Sequence, residues 1–242
     1  MIFLFSDFGL SGPYTGQVKA VLIRAAPGVP MVDLFADAPV FDPQLSAYLL
    51  AAYGEVFMPG DVFLALVDPE VGTDRRPLVM YADSRWFVGP DNGIFELVRR
   101  RSREVHVWVI DWQPAHLSAT FHGRDLFAPV AARLARGEAS PGVPIAPDVV
   151  ARPTWPDDLP RIVYIDVYGN AVVGVRARTL GRSARVEVNG RPIKRGRTFA
   201  DAAPGETLWY PNANGLVEIA VNLASAADLL CLHVGSPVGI TA

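Results

Sequence analysis

Apolar residues in the first half of the chain come in short uniform blocks, separated by segments of helical spacing. Ile2-Phe3-Leu4-Phe5 is too short and too apolar for a surface helix and predicts a buried strand, closed by Ser6-Asp7-Phe8-Gly9. The segment from Gly12-Pro13-Tyr14 carries Val18, Val21, Leu22 and Ala25 and stops at Pro27-Gly28, as a helix with its stop signal does. The alternation then repeats. Met31–Phe35 reads as a strand, Pro43–Tyr53 as a helix ended by Gly54, and 62–67 and 78–82 as strands. Trp86-Phe87-Val88, a turn at Gly89-Pro90-Asp91-Asn92-Gly93 and a helix over Ile94–Val98 follow. This pattern predicts an α/β domain with a largely parallel sheet between helices.

After Phe121 the pattern changes. A helix from Arg124 or Asp125 to Ala135 leads into Gly137–Pro160, where Pro141, Pro144, Pro147, Pro153, Pro156 and Pro160 oppose regular structure over most of the stretch. Beyond it lie short β-like runs at 161–166, 171–175, 184–188, 207–210 and 216–221, with Asn189-Gly190 as a hairpin signal. The expected organisation is an α/β domain over 1–140, a proline-rich linker over 141–160 and a smaller all-β, barrel-like domain over 161–242.

Two polar clusters stand out against this apolar background. Val67-Asp68-Pro69-Glu70-Val71-Gly72-Thr73-Asp74-Arg75-Arg76 joins two strand-like runs, and Phe121-His122-Gly123-Arg124-Asp125 opens the last helix of the first domain. Asp68 and Arg75 on one short connection are either a solvated surface ion pair or the lining of a site, since loops on a rigid sheet commonly carry function. His122 adds a titratable base to a proton acceptor and a fixed cation. Asp7 lies just past a strand end, where an α/β sheet places either ligand-binding groups or a turn aspartate.

Composition narrows the choice. With 242 residues, 50% of them hydrophobic, and a mean hydropathy of +0.23, the chain can bury a substantial core. No apolar run approaches the roughly 20 residues of a membrane span, and the Met-Ile-Phe-Leu-Phe start lacks a basic leader, so a cytoplasmic protein without membrane association is expected. A net charge of −3 and a pI near 5.8 offer no reason to expect a nucleic-acid partner. The run Arg99-Arg100-Arg101-Ser102-Arg103 reads as a solvated helix end. Cys231 is the single cysteine, which excludes an intrachain disulfide, and its leucine neighbours predict a buried thiol.

Several chemistries drop out. The chain has no Gly-x-Gly-x-x-Gly, Walker lysine, His-Glu-x-x-His or Gly-x-Ser-x-Gly. His106, His116, His122 and His233 lack helical ligand spacing, so no metal site is predicted.

Taken together, Ser6-Asp7-Phe8-Gly9 with Tyr14, Asp68-Pro69 through Gly72 to Arg75-Arg76, Gly89–Gly93, Phe121–Asp125, Asp166 with Tyr168-Gly169-Asn170, and Asn212 to Glu218-Ile219-Ala220 resemble the S-adenosylmethionine hydroxide adenosyltransferases. These are water-using relatives of the halogenating S-adenosylmethionine enzymes, and the resemblance spans nearly the whole chain. It implies hydrolysis of S-adenosyl-L-methionine to adenosine and L-methionine without a cofactor. It also implies a homotrimer whose ligand sits between the first domain of one subunit and the second domain of the next. By the same resemblance Asp68, Arg75 and His122 activate the nucleophile, with Arg76 a rival to Arg75. Asp7 accepts from the ribose hydroxyls, Phe41 and Phe121 flank the substrate, Asn170 reads adenine and Asp166 helps hold the methionine end. Core packing for the phenylalanines, and turn formation for Asp166 and Asn170, are the competing readings.

The chain departs from the family pattern at Gly12, Glu70 and Ala213, all bearing on the amino-acid end of the substrate. A chlorinase-like halogenase is the alternative enzyme, but Asp68 stands where a halide would need an uncharged pocket. A non-catalytic S-adenosylmethionine or adenosine sensor is the third reading, encouraged by Gly12 and Ala213. It leaves the Asp68, Arg75 and His122 set without a purpose.

Overall fold

The structure is a computed structural model that describes residues Met1–Thr241. The chain divides after Pro153 into two units. The first is built on a sheet of order β2-β1-β3-β5-β4-β6-β7. Its strands are β1 (Ile2–Ser6), β2 (Met31–Phe35), β3 (Val62–Leu66), β4 (Pro77–Ala82), β5 (Arg85–Pro90), β6 (Val105–Ile110) and β7 (Gly142–Ile145). β1 and β3 are buried along their whole length, which is why they read as unbroken apolar blocks. Ile2 and Leu4 pack in one core cluster with Val18 and Leu22 of helix α1 (Tyr14–Ala25) and with Val130 and Leu134 of α4 (Ala128–Ala135). Alternate positions serve another aromatic core: Phe3 meets Phe63 at 5.3 Å, and Phe63 stacks on Phe87 at 4.9 Å. Gly54, at the end of α2 (Pro43–Gly54), lies over Phe63 and Phe87, and α3 (Glu96–Arg101) packs against α2. Asp42 caps that helix, accepting the Leu45 N–H at 2.9 Å, with Pro43 in the first turn where no donor is missed.

The sheet is mixed, which corrects the expectation of a largely parallel one. β2, β1, β3 and β5 run parallel, whereas β4 pairs antiparallel with β5 and β6, and β7 antiparallel with β6. The reason lies in Asp83-Ser84. Both residues have positive φ, 44° and 67°, making a two-residue hairpin turn that returns the chain beside β4, whereas a parallel crossover needs a dozen residues or more. β6 was not foreseen, although Val-His-Val-Trp-Val-Ile is rich in strand formers. The proline-rich stretch is more ordered than expected: it holds β7 and a 3-10 turn over Pro147–Val150. Pro144 is tolerated because β7 is the last strand of the sheet, where a missing N–H costs no ladder bond on its open side.

The second unit carries β8 (Leu159–Ile165), β9 (Ala171–Arg176), β10 (Arg185–Val188), β11 (Arg191–Arg195), β12 (Thr207–Pro211), β13 (Leu216–Val221) and β14 (Gly239–Thr241), with α5 (Ala226–Leu230). Its sheet order is β14-β10-β11-β12-β13-β9-β8, mostly antiparallel. Asn189-Gly190 turns β10 into β11 with positive φ at both residues. The two ends of the sheet nearly meet. Ile162 N–H donates to the Ser236 carbonyl and Val238 N–H to Pro160, so the chain leading into β14 bonds to β8 and the sheet is nearly barrel-shaped. Cys231 is exposed, against the expectation of burial, because it ends α5 in the left-handed conformation at φ 51° and points away from the core.

Among the described residues, no helix is long and apolar enough to cross a membrane, and no cluster of His, Cys, Asp or Glu is arranged to hold a metal ion.

Candidate active site

Parallel pairing of β1 and β3 sets Ser6 opposite Leu66, so the carboxyl ends of both strands, and with them Asp7 and Asp68, open on the same side of the sheet. The loop after β3 is held by its own bonds. Thr73 donates its N–H and its hydroxyl to the Glu70 carbonyl, and its Oγ1 accepts the Arg75 N–H at 3.3 Å. Gly72 adopts φ 84°, and a Cβ there would meet the Ala119 carbonyl oxygen at 2.9 Å, so only glycine lets the loop lie against 118–121.

That packing brings the two polar clusters together. Arg75 Nε donates to Asp68 Oδ1 at 2.8 Å and Nη2 to Oδ2 at 2.5 Å, a fork-on pair whose side chains are only 5% and 12% exposed. The same Nη2 lies 2.9 Å from His122 Nδ1. A guanidinium nitrogen can only donate, so Nδ1 is the acceptor and His122 is neutral with its proton on Nε2. Burial first, and then the charge of Arg75, hold His122 below its ordinary value, against the opposing carboxylates Asp68 and Asp125. Phe127 supports the arginine from behind, its ring 5.1 Å from Cζ. His122 itself precedes a π-helical turn over Gly123–Phe127 that runs into α4. There Ala128 N–H reaches back to Gly123, and Pro129 has no N–H to give to Asp125.

Arg76 goes the other way. Its Nε donates to Asp91 Oδ2 at 2.7 Å and its Nη2 to the Val149 carbonyl, so of the two adjacent arginines only Arg75 joins Asp68 and His122.

A cleft of about 350 Å³ opens over this cluster, within the range of small-molecule sites. Asp7, Phe41, Asp68, Phe121 and His122 all line it, with Arg75 behind Asp68. Asp7 accepts the Phe41 N–H at 3.0 Å, and burial, with Asp68 adding to it, pushes its carboxyl above the ordinary value. Phe41 is held at φ 59° and is 75% exposed, so core packing does not account for it. Phe121 meets Phe8 at 5.9 Å and Tyr14 at 5.6 Å, forming an aromatic wall in which Phe8 and Tyr14 were not anticipated as lining. Val40, Leu66, Val71, Thr120 and Gly123 complete the lining; single apolar or small residues of this kind leave no sequence signal.

Asp166 and Asn170 lie in the second unit and are described with it. Asp166 Oδ1 accepts the N–H groups of Tyr168 and Asn170, and its Oδ2 accepts the Asn170 side-chain amide, each at 2.9 Å. Asp166 is therefore a turn-forming residue, and it fixes the direction of Asn170. Close by, Tyr210 donates to Glu218 at 2.5 Å, and Asn212 donates to the other Glu218 oxygen at 3.1 Å. Burial, then the hydrogen bond and charge of Glu218, with Asp166 adding to them, hold the Tyr210 hydroxyl protonated. Gly12, one of the three departures from the family pattern, sits at φ 99° with open space around it, so the loop itself favours glycine there.

The fold and cleft belong to a known class. The profile of the SAM hydroxide adenosyltransferase N-terminal domain matches residues 2–143 and that of the corresponding C-terminal domain matches 160–239, where SAM is S-adenosylmethionine. The chain belongs to the SAM hydroxide adenosyltransferase family. Among its relatives, a Thermus thermophilus protein named (R)-S-adenosyl-L-methionine hydrolase is 38% identical, with 98% of each chain covered. One of the same name from Salinispora arenicola is 37% identical over 98% of this chain and 96% of the relative. A fluorinase of Nocardia brasiliensis is more distant, at 22% over 99% and 96% of the two chains. Among solved structures, an uncharacterized conserved protein of Thermotoga maritima superposes with a TM-score of 0.87 at 29% identity, each chain covered completely.

Proposed function

We propose that this protein hydrolyses S-adenosyl-L-methionine to adenosine and L-methionine by in-line attack of water on the ribose C5′. The observation that carries this reading is the single guanidinium shared by the Asp68 carboxylate and the neutral His122 imidazole on the wall of the cleft. A new C5′–O bond forms as the C5′–S bond breaks, its electron pair going to sulfur. Methionine leaves as a neutral thioether, so no acid is needed for the leaving group. The water must lose one proton, and Asp68 is the group to take it. His122, with its proton on Nε2, donates to the nucleophilic oxygen, and Arg75 fixes Asp68 and His122 against each other so that both face the same water. Holding the water in line supplies part of the remaining barrier reduction. Asp7 and Asp68 against one Arg75 leave the cleft acidic, which suits a sulfonium and opposes a halide.

Asp7 is assigned to the ribose hydroxyls, Phe41 and Phe121 to the faces of the substrate, and Asn170 to adenine, with Asp166 holding Asn170. In this proposal the second group comes from a neighbouring subunit of a homotrimer, and the reaction runs in the cytoplasm without a cofactor. The curated relatives carry the (R) descriptor in their names, so both sulfonium epimers are to be offered. Release of equal amounts of adenosine and methionine from either epimer, followed by chromatography, supports the proposal. Tight binding without release supports the sensor reading, and 5′-chloroadenosine in chloride buffer supports a halogenase.

A further inference from the structure

Asp91 and Asn92 sit in the turn between β5 and the next helix, within a motif that carries the family resemblance but has no role assigned to it, and together they grip both ends of the Asp68–Arg75 loop. At its start, Asn92 Nδ2 donates to the Val67 carbonyl at 2.8 Å, immediately before Asp68. At its end, Asp91 N–H donates to the Arg76 carbonyl at 2.9 Å, immediately after Arg75, and the Asp91 carboxylate takes the Arg76 guanidinium. The turn is itself anchored. Arg152 Nη2 donates to the Asp91 carbonyl and to Oδ1, both at 3.1 Å, and Asn92 Oδ1 accepts the Ile94 N–H at 3.2 Å. Asp91 is only 6% exposed at its side chain, so these bonds are shielded from water.

We propose that the Asp91-Asn92 turn is a positioning clamp: it sets the span of the loop, and so the placement of Asp68 against Arg75, and it draws Arg76 out of reach of Asp68. The clamp touches no substrate. Two adjacent arginines have equal charge and equal reach, and an anchor on Arg76 helps decide that Arg75 forms the fork with Asp68. This inference rests on the hydrolase reading of the cleft.

Asn92→Asp tests it with almost no change of volume. The Ile94 contact survives, but a carboxylate oxygen cannot donate to the Val67 carbonyl and repels it. Rates are normalised to sites that bind adenosine, so a loss of folded protein does not count. A clamp predicts that kcat falls roughly tenfold to a hundredfold, as small misplacements of reacting groups do, with KM for S-adenosylmethionine within about twofold of the parent. Arg76→Gln, on a side chain 38% exposed, is the second variant. It takes the guanidinium away from the Asp91 carboxylate while leaving the backbone bond to Asp91, and the same split between kcat and KM is expected. Parent-like kcat per binding site in whichever variants fold, with only a lower unfolding midpoint, overturns the clamp and leaves the hydrolase reading intact. A parent protein that releases no adenosine overturns both.

Discussion

Both units carry a half-buried aspartate at the centre of a polar cluster, and the two clusters differ in where their hydrogen bonds go. Asp166 gives its oxygens to its own turn, accepting from Tyr168 and Asn170. Asp68 gives its oxygens to one guanidinium reaching back across the loop, and it still faces an open cleft. An aspartate closed on itself is a structural fastening. One held from behind by a cation and open in front can exchange a proton. Residue type and motif single out both aspartates alike, while the direction of their hydrogen-bond partners separates them.

The comparison breaks most sharply at Asp68. Asp68→Asn keeps the shape and removes the base, so turnover is expected to fall roughly 10²- to 10⁴-fold with adenosine affinity largely kept; single-turnover kinetics beside equilibrium binding measures both. Arg75→Lys comes next, because an ammonium cannot bond Asp68 bidentately and reach His122 from one rigid plane. At least about a tenfold loss of kcat is expected.

Asp166→Ala should act through stability instead. It leaves the two donors of buried Asn170 unmatched, at a cost of about 1–3 kcal/mol, and should lower the denaturant midpoint more than it lowers kcat. A large kcat loss with an unchanged midpoint would give Asp166 a direct part in the chemistry.

The smallest effect concerns pH. His122 is held below its ordinary 6.5, so the unfolded chain takes up its proton first. The contribution of the neutral ring to stability is therefore complete above that value, and it is lost as pH falls through the lowered one. Protonation also removes the acceptor that Arg75 uses. Activity should hold level through neutral pH and decline only below the ordinary histidine range, and a rate profile in His122→Asn should lose that limb.

Much of the fold was legible because strands buried on both faces must be apolar throughout, as β1 and β3 are. The antiparallel half was not, because Asp83-Ser84 makes a two-residue turn without the Asn-Gly or Asp-Gly pair that announces one. Likewise the motifs singled out Asp68, Arg75 and His122 and favoured Arg75 over Arg76, but the partner that holds Arg76 aside, Asp91, carried no assigned role in the sequence. The tautomer of His122 follows from one distance, and no spacing encodes it.

In the proposed reaction water is the nucleophile at C5′, and Asp68, Arg75 and His122 activate it. Turnover of S-adenosylmethionine in ¹⁸O-labelled water, with chloride present, tests it directly by mass spectrometry of the nucleoside and of methionine. The account predicts label in the 5′ oxygen of adenosine, none in methionine, and loss of the labelled product in Asp68→Asn. Unlabelled adenosine, a halide on C5′, or undiminished labelling in Asp68→Asn would contradict it.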